Sequence, residues 1–464
     1  MIAELKPYPQ YRASESEWIG EVPAHWVVRR FKYIICEKDS RSTDGKEQLL
    51  RVSQYTGVTR RLRSDGLDEP DTRAESLVGY KRVAPNELVI NIMLAWNGSL
   101  GVSQYDGIVS PAYCVYRFGY DAMPWYYHHL LRSPSYKARI KALSTGVVES
   151  RLRLYSDDLF RLEALLPPPD EQAAIVRFLD HVNRRIDRTI KAKRKVIALL
   201  NEQKQVIIHR AVSRGLDPNV RRKASEIQWL GNIPEHWEEL RSKYVFQEVD
   251  ERSVTGTETH LSMSQKFGLI PNSQIEERRL VSESYVGAKL CRTGDLVLNR
   301  LKAHLGVFAL APQPGLISPD YTVFRPARPI VVRYFEAIYR TPACRVELRK
   351  RAKGIVQGFW RLYTDDFYDI RVPVPPLEEQ DKIMQHLDKE LSSINDVIAG
   401  TEREIDLLRE YRTRLIADVV TGMMDVREAA ARLPDEAEEL ESIGETDDAD
   451  SEELDDTGGV EDEV

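Results

Sequence analysis

The chain has 464 residues, of which 42% are hydrophobic, so it is long enough to form more than one folded domain. Its four cysteines show no CxxC spacing, which argues against a disulfide framework or a structural zinc site and fits a reducing cytoplasm. No apolar run reaches membrane-spanning length, and residues 1–10 lack the basic-then-apolar pattern of a signal peptide.

The net charge of −7 hides a basic body. Sixteen of the 73 acidic residues lie in residues 433–464, which contain no Lys or Arg. The rest of the chain therefore has 57 acidic and 66 basic residues. A basic body permits contact with nucleic acid without establishing it. The acidic end has few apolar residues, so we expect it to be disordered and either to solubilise the protein or to act as an intramolecular polyanion.

Taken in order, the chain contains one unit that occurs twice. Residues 18–26 (WIGEVPAHW) recur as residues 229–237 (WLGNIPEHW) at an offset of 211. After a length change the offset becomes 208, and a Ser-Pro-x-Tyr sequence occurs at 110–113 and again at 318–321. Many such matches at one fixed offset indicate a duplicated unit of about 210 residues.

Each unit starts with short β-rich runs and helical pieces, which predict a globular α/β or α+β domain, and ends in a proline hinge before a long helix. The hinges are 167–172 (PPPDEQ) and 374–380 (VPPLEEQ). Apolar residues then follow at alternating steps of three and four, which is the narrow stripe of a coiled-coil seam. Because a helix with a single apolar stripe needs a partner, we expect the two helices to pair.

These patterns predict an order of segments along the chain. We expect a first globular domain at 1–166, a helix at 167–212, a linker at 213–228, a second globular domain at 229–374, a second helix at 375–425 and an acidic disordered tail at 426–464.

Several catalytic signatures are absent from the sequence, namely GxxxxGK[ST], HExxH and GxGxxG. The Ser-Pro-x-Tyr sequences resemble an amino-methyltransferase motif but lack its second proline, so we interpret them as turns at strand ends. His25 and His236 have no second metal ligand at useful spacing and are interpreted as packing or capping residues. The pairs at 157–158 and 365–366 (Asp-Asp) precede apolar helical residues, which favours a capping or turn role over paired catalytic carboxylates.

The duplicated Trp-x-Gly-x-x-Pro-x-His-Trp opening, the Ser-Pro-x-Tyr turn and the Pro-Pro-x-x-Glu-Gln hinge together resemble the specificity subunit of type I restriction-modification systems. The resemblance covers about residues 18–425, and its departure is the first hinge, which has Asp170 after three prolines where the second has Leu377 and Glu378 after two. It implies two target-recognition domains in tandem, with pseudo-two-fold symmetry, separated by two helices that form an antiparallel coiled coil.

The resemblance also implies partners and the absence of catalysis by this chain. Each domain would recognise one half of a bipartite double-stranded DNA target, and the helices would dock two modification subunits that bind S-adenosylmethionine and methylate adenine. Restriction subunits would add translocation and cleavage with ATP and Mg²⁺. The helix residues expected at the subunit interface are Ile175, Leu179, Val182, Ile186, Ile383, Leu387, Leu391 and Ile394.

Candidate DNA contacts are basic, polar and aromatic residues in loops that differ between the two copies, because Arg and Lys can bridge guanine edges and Asn can bridge adenine edges. In the first domain they are Arg60, Arg61, Arg63, Asn97, Arg151 and Arg153. In the second domain they are Arg278, Arg279, Arg300, Lys302, His304, Trp360 and Arg361.

Two competing functions remain open at this point. A protein-interaction scaffold would explain the coiled coil but not the divergent basic loops, and salt-dependent DNA binding would distinguish it. An autonomous methyltransferase would need a cofactor loop, which the sequence does not show.

Overall fold

A computed structural model of the chain describes residues 5–61, 74, 76–148, 151–227, 229–264, 268–274, 285–354 and 360–434. The chain divides into two compact units. Unit 1 comprises Met1–Lys191 and Ile405–Val464, and unit 2 comprises Ala192–Glu404.

The described residues in the globular part of unit 1 form short strands and three short α-helices. Its strands are β1 (Tyr11–Ala13), β2 (Glu21–Pro23), β3 (Val27–Arg30), β4 (Ile35–Lys38), β5 (Leu50–Ser53), β6 (Gly57–Arg60), β7 (Lys81–Val83), β8 (Leu88–Asn91), β9 (Leu100–Val102), β10 (Gly107–Val109), β11 (Tyr113–Phe118) and β12 (Glu163–Leu166). Its helices are α1 (Pro124–Arg132), α2 (Pro134–Leu143) and α3 (Ser156–Arg161). The long helix α4 (Pro169–Arg214) follows.

The globular part of unit 2 repeats this series. Its strands are β13 (Arg222–Ala224), β14 (Asn232–Pro234), β15 (Glu238–Arg241), β16 (Phe246–Val249), β17 (Leu261–Ser264), β18 (Gly268–Pro271), β19 (Lys289–Cys291), β20 (Leu296–Asn299), β21 (Phe308–Leu310), β22 (Gly315–Ile317), β23 (Tyr321–Pro326) and β24 (Arg371–Val374). Its helices are α5 (Val332–Tyr339), α6 (Pro342–Arg351) and α7 (Thr364–Tyr368). The long helix α8 (Leu377–Val420) follows. The short α9 (Arg427–Ala431) comes after it and belongs to unit 1.

The sheets of the two units have the same strand order. A four-stranded sheet is ordered β4-β11-β8-β9 in unit 1 and β16-β23-β20-β21 in unit 2, and all of its pairings are antiparallel. The smaller pairs also correspond, for example β12 with β3 and β24 with β15. This confirms the predicted duplication and narrows the fold class to α+β with tandem domains.

The central strands explain why the sequence adopts this sheet. All four residues of β8 and all four of β20 are buried, so these apolar runs form the middle of each unit's core. Both strands are entered through a turn with a left-handed residue, which is Asn86 in unit 1 (φ 66°) and Gly294 in unit 2 (φ 88°). Asn and Gly are the residues that occupy this region at low cost.

The long helices begin after proline, as predicted, and run antiparallel where each unit brings them together. In unit 2, Lys193 bonds Glu404 and Lys204 donates to Asn395 at 2.6 Å, so numbers rise on α4 as they fall on α8. In unit 1, Arg412 pairs with Asp187. The predicted pairing of the two helices is therefore confirmed within each unit. None of the described helices is long and apolar enough to cross a membrane.

Two predicted segments differ from the structure. The expected linker, 213–228, includes strand β13, which pairs with β14, and Ile227, which is 3% exposed in the core of unit 2. The expected disordered tail, 426–464, begins instead with α9, where Val426 and Ala430 are buried. Each segment folds because other parts of the protein bury its few apolar side chains. Residues 435–464 lie outside the described part of the chain.

Candidate nucleic-acid interface

The glutamate of the first hinge attaches helix α4 to its globular domain. Glu171 is 2% exposed and accepts a hydrogen bond from Trp26 Nε1 at 2.8 Å, while His25 Nε2 lies 2.8 Å from its second oxygen. The Tyr8 hydroxyl also donates to Glu171. Burial and this hydrogen bond raise the pKa of Tyr8, so the phenol remains a donor at neutral pH. Three side chains of the domain thus converge on one carboxylate.

The second hinge repeats this arrangement with the matching residues. Glu379 accepts a hydrogen bond from Trp237 Nε1 at 3.1 Å, and His236 Nε2 lies 2.8 Å from the same oxygen. The two histidines that we interpreted as packing or capping residues therefore contact the hinge carboxylates. The sequence contained a signal for this contact, since the His-Trp pair and the hinge recur together.

The glutamine of each hinge fixes the start of its helix. Gln172 Oε1 accepts from the Met123 amide at 2.8 Å, and its Nε2 donates to the Pro167 carbonyl at 2.8 Å. Gln380 makes the same pair of bonds with the Val331 amide and the Pro375 carbonyl, both at 2.9 Å. Because both glutamines are buried, these bonds satisfy backbone groups that water does not reach. The hinge motif therefore determines where each helix leaves its domain.

The Ser-Pro-x-Tyr sequences are turns before β11 and β23, as predicted. The Tyr321 amide donates to the Ser318 carbonyl at 3.0 Å, and the buried Lys289 donates to the Tyr321 carbonyl at 2.9 Å. Burial lowers the pKa of Lys289, and the nearby Arg300 contributes to this effect. Lys289 and Arg300 therefore both lie next to this turn, and the Asp250 carboxylate lies 4.0 Å from Lys289 Nζ.

Asp320 of that turn brings two predicted DNA contacts together. Arg300 Nη2 lies 3.8 Å and Arg361 Nη2 lies 3.4 Å from the same Asp320 carboxylate oxygen. Arg300 also donates to the Asp320 carbonyl at 3.0 Å. The carboxylate partly neutralises both guanidinium groups, and the matching residue in unit 1 is Ala112, which has no charge.

The other candidates in unit 2 are distributed around this cluster. Lys302 is exposed in the 3-10 segment after β20, and the Trp360 ring lies 5.3 Å beneath the Arg349 guanidinium. His304 belongs to the same 3-10 segment as Lys302. Arg278 and Arg279 lie outside the described residues.

The candidates in unit 1 fall into three places. Arg60, at the end of β6, stacks on the Tyr105 ring at 4.9 Å, and Arg61 follows it. Asn97 is half-buried, and its Oδ1 accepts from the Ser99 amide at 3.1 Å and the Ser99 hydroxyl at 2.9 Å. The remaining described candidates, Arg151 and Arg153, are exposed near the short bridge between Thr145 and Arg153. Arg63 lies outside the described residues.

An open cleft that the sequence did not predict lies beside Arg60. Its lining residues are Gln48, Arg60, Gln104, Tyr105 and Asp106. Amide groups and a guanidinium are the side chains that pair with purine edges. The signal was present in the sequence, because Gln104, Tyr105 and Asp106 stand opposite Pro312, Gln313 and Pro314 in the second copy.

The predicted interface residues of the long helices lie mainly in the interior of the chain. Those that are at most 6% exposed are Ile175, Leu179, Val182, Ile186, Ile383 and Leu387, and those that are half-buried are Leu391 and Ile394. Ile383 and Leu387 belong to the core cluster of unit 2 that also contains Val212 and Trp237. Their part in contacting another subunit stays a prediction.

No protein-family model matches the chain. The putative type I restriction enzyme MjaX specificity subunit of Methanocaldococcus jannaschii is 24% identical over 466 residues, which cover 92% of this chain and 100% of that protein. The type I restriction enzyme MjaVIII specificity subunit of the same organism is 23% identical over 458 residues, covering 92% and 99%.

A solved structure shows a similar fold. It comes from a study of complex assembly and conformational transition in the type I restriction-modification system, has a TM-score of 0.59 at 16% identity, and covers 86% of this chain and 98% of its own. The comparisons confirm the resemblance that the duplicated motifs indicated. Nearly the whole chain is similar to the specificity subunits of type I restriction-modification systems.

Proposed function

We propose that this chain is the DNA-recognition subunit of a type I restriction-modification complex. Each globular domain would recognise one half of a bipartite, asymmetric target, and the paired helices would set the distance between the halves and dock two modification subunits. The observation that supports this most is one scaffold present twice with different exposed or partly exposed side chains, namely Arg60 and Tyr105 in unit 1 and the cluster of Arg300, Asp320 and Arg361 in unit 2.

The chain would direct adenine methylation and restriction without catalysing either. S-adenosylmethionine would be held by the modification subunits, and ATP with Mg²⁺ by the restriction subunits. An isolated chain that bound S-adenosylmethionine in a calorimeter would favour the autonomous methyltransferase instead. DNA binding that did not weaken with salt would favour a protein-interaction scaffold, because phosphate contacts release counterions.

Domain exchange tests the assignment of one half-site to each domain. Residues 229–374 would be replaced by the matching segment of a relative that keeps the His-Trp pair which contacts Glu379, while Glu379 and Gln380 themselves stay unchanged. We expect one half of the methylated sequence to change while the other half and the spacer stay the same. Methylated adenines mapped in DNA from cells with the complete system give the result. Replacing 18–166 is the matched experiment and should change the other half; a change in both halves after a single exchange would contradict the model.

A heptad insertion tests whether the helices set the spacing. The contact between Lys193 and Glu404 shows where both helices must be lengthened together, so one heptad would enter after Lys193 and one before Glu404. Seven residues at 1.5 Å add about 10 Å and preserve the apolar stripe. That length corresponds to about three base pairs at 3.4 Å each. The spacer should lengthen by this amount or methylation should be lost, and an active complex with the original spacer would exclude this role.

A further inference from the structure

Arg132, the last residue of α1, joins two turns of unit 1. Its guanidinium donates to five main-chain carbonyl groups. The acceptors on the first side are Ser53 (3.3 Å) at the end of β5 and Gln54 (2.9 Å) and Tyr55 (2.7 Å) in the turn that follows it. On the second side they are Gly98 (3.1 Å) in the turn before β9 and Leu100 (2.7 Å), the first residue of β9. The carbonyls of Gln54, Tyr55 and Gly98 lie in turns, outside any strand pairing, so a single cation binds them and fixes both turns relative to each other.

The surroundings of Arg132 leave these turns little freedom. A Cβ atom on Gly57 would lie 3.0 Å from His128 Cε1, and one on Gly101 would lie 3.2 Å from Gly57 Cα. His128 Nδ1 accepts from the Val102 amide at 3.1 Å and so ties β9 to the same helix. The base of the two turns is therefore closely packed, while their tips face outwards.

Two side chains of these turns can meet a DNA groove, the exposed Tyr55 and the half-buried Asn97, whose Oδ1 already accepts from Ser99. Tyr55 is 77% exposed at the tip of the first turn. Asn97 precedes Gly98 in the second turn and was predicted from the sequence as a base contact. Arg132 itself is half-buried, and its Nη1 and Nη2 donate to carbonyl groups of the protein, so these donors serve the two turns.

We propose that Arg132 is a positioning residue for recognition of the first half-site, which holds Tyr55 and Asn97 at a fixed separation against B-form DNA. The proposal rests on the function proposed above. Loss of Arg132 frees the two turns from each other, so bases are distinguished less well, whereas phosphate contacts elsewhere continue to supply nonspecific affinity.

The test uses the full chain assembled with its modification subunits and carrying Arg132→Met or Arg132→Lys. Methylation rates are measured on target DNA with every single mismatch in either half-site. A tenfold change in discrimination corresponds to about 1.4 kcal/mol. We expect Arg132→Met to reduce discrimination by about tenfold at one or more first-half positions and by nothing at the second half. Lys retains three donors, so Arg132→Lys should restore part of the loss.

Two controls separate positioning from simple destabilisation. Glu171→Gln weakens unit 1 away from the two turns, so it should lower overall methylation without relaxing any base position. Arg340→Ala alters the matching position of unit 2 and should leave first-half discrimination intact. Unchanged first-half discrimination in folded Arg132→Met, or an equal loss in both halves, would overturn the proposal. A wild-type complex that discriminated no half-site would instead refute the proposed function itself.

Discussion

The two hinge carboxylates occupy matching positions but differ in their surroundings. The Glu171 side chain is 2% exposed and has Tyr8 as a partner in addition to its Trp and His. The Glu379 side chain is 26% exposed, and the residue that matches Tyr8 is Asn219. The hinge carboxylate and its hydrogen-bond partners are thus more deeply buried in unit 1 than in unit 2.

This difference in burial follows from how the first strand of each unit is connected to a long helix. In unit 2, strand β13 follows helix α4 along the chain. In unit 1, strand β1 is not covalently continuous with helix α8, and hydrogen bonds hold the two segments together: the Asp425 amide donates to the Lys6 carbonyl at 2.8 Å, and the Tyr11 hydroxyl donates to the Gly422 carbonyl at 3.0 Å. Arg427 stacks on the Tyr8 ring at 5.2 Å. Backbone and side-chain contacts in unit 1 therefore replace a covalent connection.

The largest effect should come from removing the enclosed carboxylate. Glu171→Ala leaves three donors without their acceptor, two of them largely buried, and should cost about 3–5 kcal/mol of stability in unit 1. Glu379→Ala should cost about 1–2 kcal/mol in unit 2, because water can replace the more exposed carboxylate. Calorimetric melting of both variants measures the two losses. Tyr8→Phe removes only the additional donor and so measures its contribution. Equal losses of stability in Glu171→Ala and Glu379→Ala would show that the deeper burial of Glu171 contributes nothing.

The next largest effect should come from acid, which we expect to destabilise unit 1 more than unit 2. Helix α1 carries His128 and His129, where unit 2 has Glu336 and Ala337. Burial, and then the Arg132 cation, lower the pKa of His129 to about 4, and burial also lowers the pKa of His128. The unfolded chain therefore binds a proton at His129 that the folded chain excludes between about pH 6.5 and pH 4. The stability of unit 1 should fall as pH drops through this window and level off below it.

The size of this effect can be measured with one substitution. The shift of His129 corresponds to a loss of up to about 3 kcal/mol, at about 1.4 kcal/mol per pKa unit. His129→Ala introduces the residue of unit 2 at the matching position and should remove this part of the pH dependence. The difference in melting temperature between variant and wild type, followed from pH 7 to pH 4, gives the result. A constant difference across that range would exclude His129 as its source.

The sequence predicted features that depend on repetition and spacing. The hinge prolines and the apolar stripe located the start of both long helices to within two residues, since these signals are local. It predicted a linker where β13 forms, because that strand depends on pairing with β14. The role of Glu171 was missed, as its partner Trp26 lies 145 residues away in the chain. Nothing in the sequence distinguished Arg132, because Arg also occupies the matching position 340, whereas the candidate DNA contacts come from loops that differ between the copies.

The smallest predicted effect concerns the Ser-Pro-x-Tyr turns, where unit 2 has Asp320 and unit 1 has Ala112. Asp320→Ala would release Arg300 and Arg361 from a shared carboxylate and make this turn of unit 2 resemble that of unit 1. Because all three side chains are partly exposed, solvent already screens their attraction, and stability should change by less than about 1 kcal/mol. The freed guanidinium groups should instead bind phosphate.

Nonspecific affinity at low salt should then rise by a few fold, and the slope of log affinity against log salt should steepen by up to about one. Fluorescence anisotropy of labelled DNA with the assembled complex, titrated across salt concentrations, measures both quantities. Ala112→Asp in unit 1 is the reverse change and should weaken nonspecific binding there. If Asp320→Ala left affinity and slope unchanged, the two arginines would not contact phosphate, and the difference between the turns would have no consequence for DNA binding.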